Sequence, residues 1–171
     1  MTMRSPGRVF WPMASLLVLA DCSSKRAIEE TAPMVGVPMP IVDDVVRFTL
    51  AYNKGAAFST YFGPYQRWVL IGVALTMLVI LARSYRHITQ TGRIGTIGLA
   101  LVAGGAVGNL LDRLISERGV VDFIDVGIRS SRFYVFNVAD AGLSIGAALL
   151  AYALWHSDRA EDARRAISRA D

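Results

Sequence analysis

Between residues 105 and 147 the chain carries Asp112, Asp122, Asp125 and Asp140, together with Asn109, Arg113 and Asn137. Long apolar runs lie on either side. A charged residue at the centre of a membrane helix costs roughly 2.5–3.5 kcal/mol on insertion scales, so ionisable groups in such surroundings point to function. Two aspartates brought close in a low dielectric cannot both ionise easily, and one keeps a proton. One carboxylate can then act as general base on a water while its protonated partner polarises a carbonyl and later supplies a proton. Two of these aspartates could therefore hydrolyse an amide. Serine catalysis is disfavoured, because His87 and His156 lie far apart beside helix ends and neither is placed as a base. A serine–lysine dyad using Lys25 or Lys54 is the remaining variant.

Spacing groups the candidates. Asn109 and Asp112 are three apart and share a helix face, with Arg113 beside them. The ordinary reading of that end is a solvated Asp–Arg pair. Asn137 and Asp140 are likewise three apart, and Ser144 lies one turn further along. Asp140 is followed by fifteen residues without a charge, which places it inside an apolar span. Asp122 sits in the apolar string VVDFID, where a solvated loop aspartate is out of place, and Asp125 reads as its surface companion.

The rest of the chain must position these groups. Its 171 residues suit one domain, and 53% are hydrophobic against 19% charged. Mean hydropathy is +0.40, and the apolar residues fall in blocks, the signature of a membrane protein. The net charge of +4 comes from basic residues at the termini and between the blocks, with no basic aromatic stripe for nucleic acid. A single cysteine, Cys22, excludes an intramolecular disulfide and a cysteine-built metal site. No cofactor and no metal are expected.

Four spans are expected, at about 8–24, 67–83, 94–112 and 133–155. The first competes with a secretory signal peptide. Its ending LVLADC resembles a lipid-attachment box, but Asp21 stands where that box wants a small residue. A retained helix fits better, since three more spans follow. Glycines at 95, 98, 104, 105 and 108, and small residues at 139, 141, 142, 146 and 147, allow close helix packing. Pro33, Pro38 and Pro40 make 26–42 an irregular loop. Residues 43–52 alternate with period two and read as a strand, followed by an Asn53–Lys54–Gly55 turn, within a small β region at about 42–62. Residues 156–171 form a charged tail. Basic residues divide nine to nine between the two sides. They are concentrated in short segments next to the spans on the side of Arg4, Arg8, Arg83, Arg86 and Arg93, which places both termini in the cytoplasm and the acidic residues near the outer face.

Five segments then carry a resemblance. Asp21-Cys22-Ser23-Ser24-Lys25, YNKGAAFS from Tyr52, GNLLDR from Gly108, VVDFID from Val120 and FNVADAGLSIG from Phe136 are similar, in order, to motifs of the bacterial lipoprotein signal peptidases, the signal peptidase II family. The matches cover most of residues 15–150. The resemblance implies an all-α membrane protein of four transmembrane helices with a small extracytoplasmic β element over the site, the 53–58 turn helping to clamp a peptide. It implies that Asp122 and Asp140 are the catalytic dyad. It makes Asn53, Gly55, Asn109, Asp112, Arg113 and Asn137 supporting or substrate-holding residues, and it matches Asp21 and Lys25 to positions near the site. The implied reaction removes the signal peptide of a diacylglyceryl-modified prolipoprotein just before its lipidated cysteine, in the inner membrane. The partners are then such substrates and membrane lipids, with the enzyme a monomer. A transporter or proton relay is the alternative for buried aspartates, and an exported lipoprotein or membrane scaffold is a third reading.

Overall fold

The computed structural model describes residues 6–55 and 63–168. In chain order the elements are α1 (Gly7–Thr31), β1 (Pro38–Val42), β2 (Val46–Asn53), α2 (Gln66–Gln90), α3 (Arg93–Ile115), β3 (Val120–Ile128), β4 (Ser131–Arg132) and α4 (Val138–Ser168). The 56–58 part of the expected turn and the 56–62 part of the expected β region lie outside the described residues.

Helix α3 is the centre of the molecule. It packs against α4, α1 and α2, and 67% of its apolar stretch is buried, against 6% for α2. The small residues decide how close the partners come. A Cβ on Gly98 would sit 2.9 Å from the Gly146 carbonyl oxygen of α4, and one on Gly146 would sit 2.8 Å from the Gly98 oxygen. A Cβ on Gly104 would meet the Ala14 carbonyl of α1 at 2.9 Å. Glycine is required there because helix backbones touch, as small-residue packing between apolar helices demands.

Among the described residues, three helices are long and apolar enough to cross a membrane, spanning Gln66–Gln90, Arg93–Ile115 and Val138–Arg159. The expected count of four is not met by length and composition. Helix α1 is 25 residues long, but Asp21, Lys25, Arg26, Glu29 and Glu30 fall in its second half. It also runs past the expected end at 24, because nothing breaks it before Ala32 leaves helical geometry. The last span begins later than 133. Residues 133–136 are not helical, and Phe136 makes an isolated antiparallel bridge with Ile124.

The β element is larger than expected and draws on two distant parts of the chain. Its order is β1-β2-β3-β4, all antiparallel. The all-α description is therefore coarse: the molecule is mostly helical with a four-stranded sheet. The loop reading of 26–42 fails at β1, which carries Pro38 and Pro40. Proline is tolerated there because β1 is an edge strand. β3 shows no alternation: Val120, Val121, Asp122 and Phe123 are all buried, so periodicity could not reveal it. Ile28 of α1 packs with Leu50, Val121 and Phe123 in one apolar cluster, which seats the sheet on the end of α1.

Candidate active site

The start of α4 is the pivot of the site. Asn137 precedes the helix, and its Oδ1 accepts a hydrogen bond from the Asp140 backbone N–H at 2.8 Å. Asp140 reaches back, its Oδ2 accepting from the Asn137 N–H at 3.4 Å. This reciprocal arrangement is a capping box built from asparagine and aspartate. It exists because the chain is extended through Phe136, so the helix starts where Asn137 can cap it. The positive end of the helix dipole then favours carboxylates there. Asp140 lies in the first turn, and Asp21 of α1 accepts from the Ala139 N–H at 2.8 Å.

Two amides join the other groups. Asn137 Nδ2 donates to Asp122 Oδ1 at 2.7 Å and to Asn109 Oδ1 at 3.1 Å. Asn109 Nδ2 donates to Asp140 Oδ1 at 2.7 Å. Asp122 on β3 and Asp140 on α4 are thus bridged by one asparagine pair. On its other oxygen Asp122 accepts from Asn53 Nδ2 at 3.0 Å, and Asn53 Oδ1 in turn accepts from the Gly55 N–H at 3.0 Å. Asp122 is 3% exposed and Asn137 is fully buried. Burial first, and then the charge of Asp140, push the Asp122 carboxyl up to about 6, against the hydrogen bonds of Asn53 and Asn137.

Behind the amides lies a buried ion cluster. Lys25 Nζ sits 2.6 Å from Asp21 and 2.8 Å from Asp112, and it donates to Asn109 Oδ1 at 3.1 Å. Asp21 is fully buried and Lys25 is 3% exposed. The expected Asp112–Arg113 pair is absent from this geometry. Adjacent residues on a helix point in different directions, so Asp112 turns to Lys25 and to the Val121 N–H at 3.1 Å. Arg113 instead donates to the carbonyls of Asn109 and Gly55. Gly108 completes the fit, since a Cβ on it would lie 2.6 Å from Asp21 Oδ2.

All ten residues singled out in the sequence, Asp21, Lys25, Asn53, Gly55, Asn109, Asp112, Arg113, Asp122, Asn137 and Asp140, therefore meet in one connected network. Asp125 does not join it and is no surface companion. It is buried and bound by Arg132 at 2.6 Å, Thr49 at 3.0 Å and Arg47 at 3.0 Å. Burial opposes its charge, but these hydrogen bonds outweigh it and hold the carboxyl below its usual range. Ser144 is exposed and takes no part.

Sequence reasoning missed Gln66, Arg67 and Gly119. Gln66 donates to the Lys54 carbonyl, and Arg67 donates to the Arg113 carbonyl at 2.6 Å and to that of Leu114 at 3.0 Å. They tie the start of α2 to the end of α3 and to the chain after Asn53. Their only sequence signal was polarity at the head of an apolar run, which reads equally as membrane-flanking charge. Gly119 has φ of 105°, and a Cβ on it would collide with the Asn53 carbonyl. Gly119→Ala is expected to displace Asn53, lowering turnover about tenfold and stability by about 1–3 kcal/mol; activity assays and thermal unfolding in detergent check both.

Comparison with known proteins accounts for this arrangement. The model of the family described as Signal peptidase (SPase) II matches residues 13–156. The chain belongs to the signal peptidase II family. Among curated relatives, the lipoprotein signal peptidase of Pseudomonas putida is 35% identical over 159 residues, covering 91% of this chain and 92% of the relative. That of Geobacter metallireducens is 32% identical over 154 residues, covering 89% and 93%. A bacterial membrane enzyme structure obtained by the in meso method at 2.3 Å is similar with a TM-score of 0.75 at 28% identity, covering 85% of this chain and 87% of that one. Membership of a signal peptidase family places the chain among membrane proteases and removes the transporter and scaffold readings. The acidic residues of the site agree, because Asp21, Asp112, Asp122 and Asp140 gather at one end of the bundle.

Proposed function

We propose that this signal peptidase II cleaves prolipoproteins through an aspartate dyad, Asp122 and Asp140, cutting before the diacylglyceryl-modified cysteine. The observation that carries this is the Asn137–Asn109 bridge, which brings a carboxyl from β3 and one from α4 to the same pair of amides. Asp122, pushed up to about 6, holds the shared proton, and Asp140 at the helix start is the base. Asp140 takes a proton from a water as that water attacks the scissile carbonyl. Asp122 donates to the carbonyl oxygen, and the proton then passes to the leaving amine. Arg113 and Gly55 border the site, where Arg113 favours the developing negative charge.

The remaining features follow from the same reading. Helix α1 is a fourth span, because its buried Asp21 and Lys25 neutralise each other. The first turns of α1 meet the end of α2, where Phe10 and Tyr85 stack edge to face at 5.2 Å. Arg8, Arg83, Arg86 and Arg93 mark that end as cytoplasmic, which puts the site near the outer face. A substrate anchored by its lipid stays at that level of the bilayer. A monomer suits this reading, since the ten site residues close one connected network within a single chain.

Linkage tests the burial of Asp122. The folded protein binds the Asp122 proton more tightly than the unfolded chain does, so this carboxyl's contribution to stability falls as pH rises from about 3.8 to about 6. Asp122→Asn lacks that dependence. Its stability relative to wild type is expected to improve across that window by up to about 3 kcal/mol and then level off. Unfolding temperatures of both proteins from pH 4 to 7 measure it. A flat difference would show that Asp122 is not held in this environment.

A further inference from the structure

A groove of about 530 Å³ lies between α1 and α2 with α3 as its floor. None of its lining residues belongs to the site network. Trp11 and Leu19 form one wall, Leu78 and Tyr85 the other, and Ala103 and Val107 the base. The lining is apolar except for Ser15, the Trp11 indole N–H and the Tyr85 hydroxyl. Phe10 to Leu19 is ten residues of helix, nine rises of about 1.5 Å, so the groove runs about 13 Å along the bundle axis.

The charge at its mouth says what fills it. Arg8 lies three residues before Trp11, on the same helix face, and Arg86 lies four after Ala82, another lining residue. Arg83 stands between them on α2. No aspartate or glutamate occurs in residues 1–20 or 45–111, which include all of the lining. Among the described residues, Arg8, Arg83 and Arg86 form no ion pair, whereas Lys25, Arg47 and Arg132 at the opposite end all do. Three uncompensated guanidiniums above an apolar slot match a ligand with an acidic head and an aliphatic tail. Arginine's planar fork suits phosphate oxygens, and basic clusters at a membrane surface attract anionic lipids.

We infer that this groove is a binding site for an anionic phospholipid, with one acyl chain between α1 and α2 and its phosphate against Arg8 and Arg86. The site lies outside the catalytic network, so occupancy braces α1 and α2 on α3 without entering the reaction.

Trp11 reports on the groove. In a Trp68→Phe/Trp155→Phe background, Trp11 is the sole tryptophan. That protein is reconstituted in phosphatidylcholine vesicles holding a small fixed share of either phosphatidylglycerol or phosphatidylcholine brominated on its acyl chains. Brominated phosphatidylglycerol is expected to quench Trp11 about fivefold more effectively, the ratio that surface attraction by one basic residue gives. Arg8→Gln/Arg86→Gln should bring it down to the phosphatidylcholine level. Ala103→Phe, which fills the floor, should reduce phosphatidylglycerol quenching with the arginines intact. Prolipoprotein cleavage by these variants confirms that each is folded. Equal quenching by the two lipids would leave only bulk lipid in the groove and overturn the assignment. So would a phosphatidylglycerol preference that survives both sets of substitutions. Absence of quenching, with Trp11 cross-linked to a second copy, would overturn it in favour of a dimer contact.

Discussion

Asp140→Asn is expected to lower cleavage of a purified diacylglyceryl-modified prolipoprotein by at least about 10³-fold while leaving the fold intact. The variant is a clean probe because of how Asp140 is held. Its Oδ1 accepts from Asn109 at 2.7 Å, and the amide oxygen of the replacement can keep that bond. Only the long 3.4 Å contact from the Asn137 N–H meets the new amide nitrogen. Removing the base therefore costs little structure. Asp122→Asn should be equally inactive, but both Asp122 oxygens accept from amide donors at 3.0 and 2.7 Å, so one donor is left facing a donor. The assay is run in detergent with a metal chelator, and wild-type turnover is expected to persist. Turnover by Asp140→Asn within about tenfold of wild type would remove it from the dyad and direct attention to Lys25 and Lys54.

Lys25→Met is expected to be the most destabilising substitution in the protein. It leaves the fully buried Asp21 and the 18% exposed Asp112 without their cation. Breaking a buried ion pair from one side costs about 3–5 kcal/mol, and in a chain of this size that lowers the unfolding temperature by roughly 10 °C. The site suffers too, since Lys25 anchors the Asn109 oxygen whose amide nitrogen holds Asp140. The double variant Asp21→Asn/Lys25→Met removes the orphaned charge along with its partner and should recover part of the loss. Thermal unfolding of the two variants in the same detergent measures the difference. A loss below about 1 kcal/mol for Lys25→Met would mean that water reaches the cluster and screens it.

The same residues show what could be read without a structure. Apolar blocks announced α2, α3 and α4, and small-residue spacing announced close packing of α3 and α4, while the structure supplied the partners that Gly98, Gly104 and Gly146 meet. Alternation marked β2, which runs Val46–Asn53 against an expected 43–52. These are local signals, carried by side-chain period and composition. Asn109, Asp112, Asn137 and Asp140 were legible for a related reason: a polar residue beside an apolar run is costly, so its presence is informative.

The partners of those residues were a different matter. β3 is buried on both faces and has no period to read, and its pairing with β2 joins Ala51 to Asp122 across α2 and α3. Nothing near Asp122 in the chain specifies Asn53. Asp112 has Arg113 as its neighbour in sequence yet pairs with Lys25, because a helix points consecutive side chains apart and the α1–α3 contact brings Lys25 within 2.8 Å. The start of α4 likewise depends on the bridge between Phe136 and Ile124, which keeps 133–136 out of the helix and leaves Asn137 to cap it. By itself the sequence determined the three long apolar helices α2, α3 and α4, the acidic and amide residues and the order of the family's motifs. Tertiary structure alone decided which carboxylates meet, which cation neutralises them and where α4 begins, because each of these depends on contacts between segments that local periodicity does not encode.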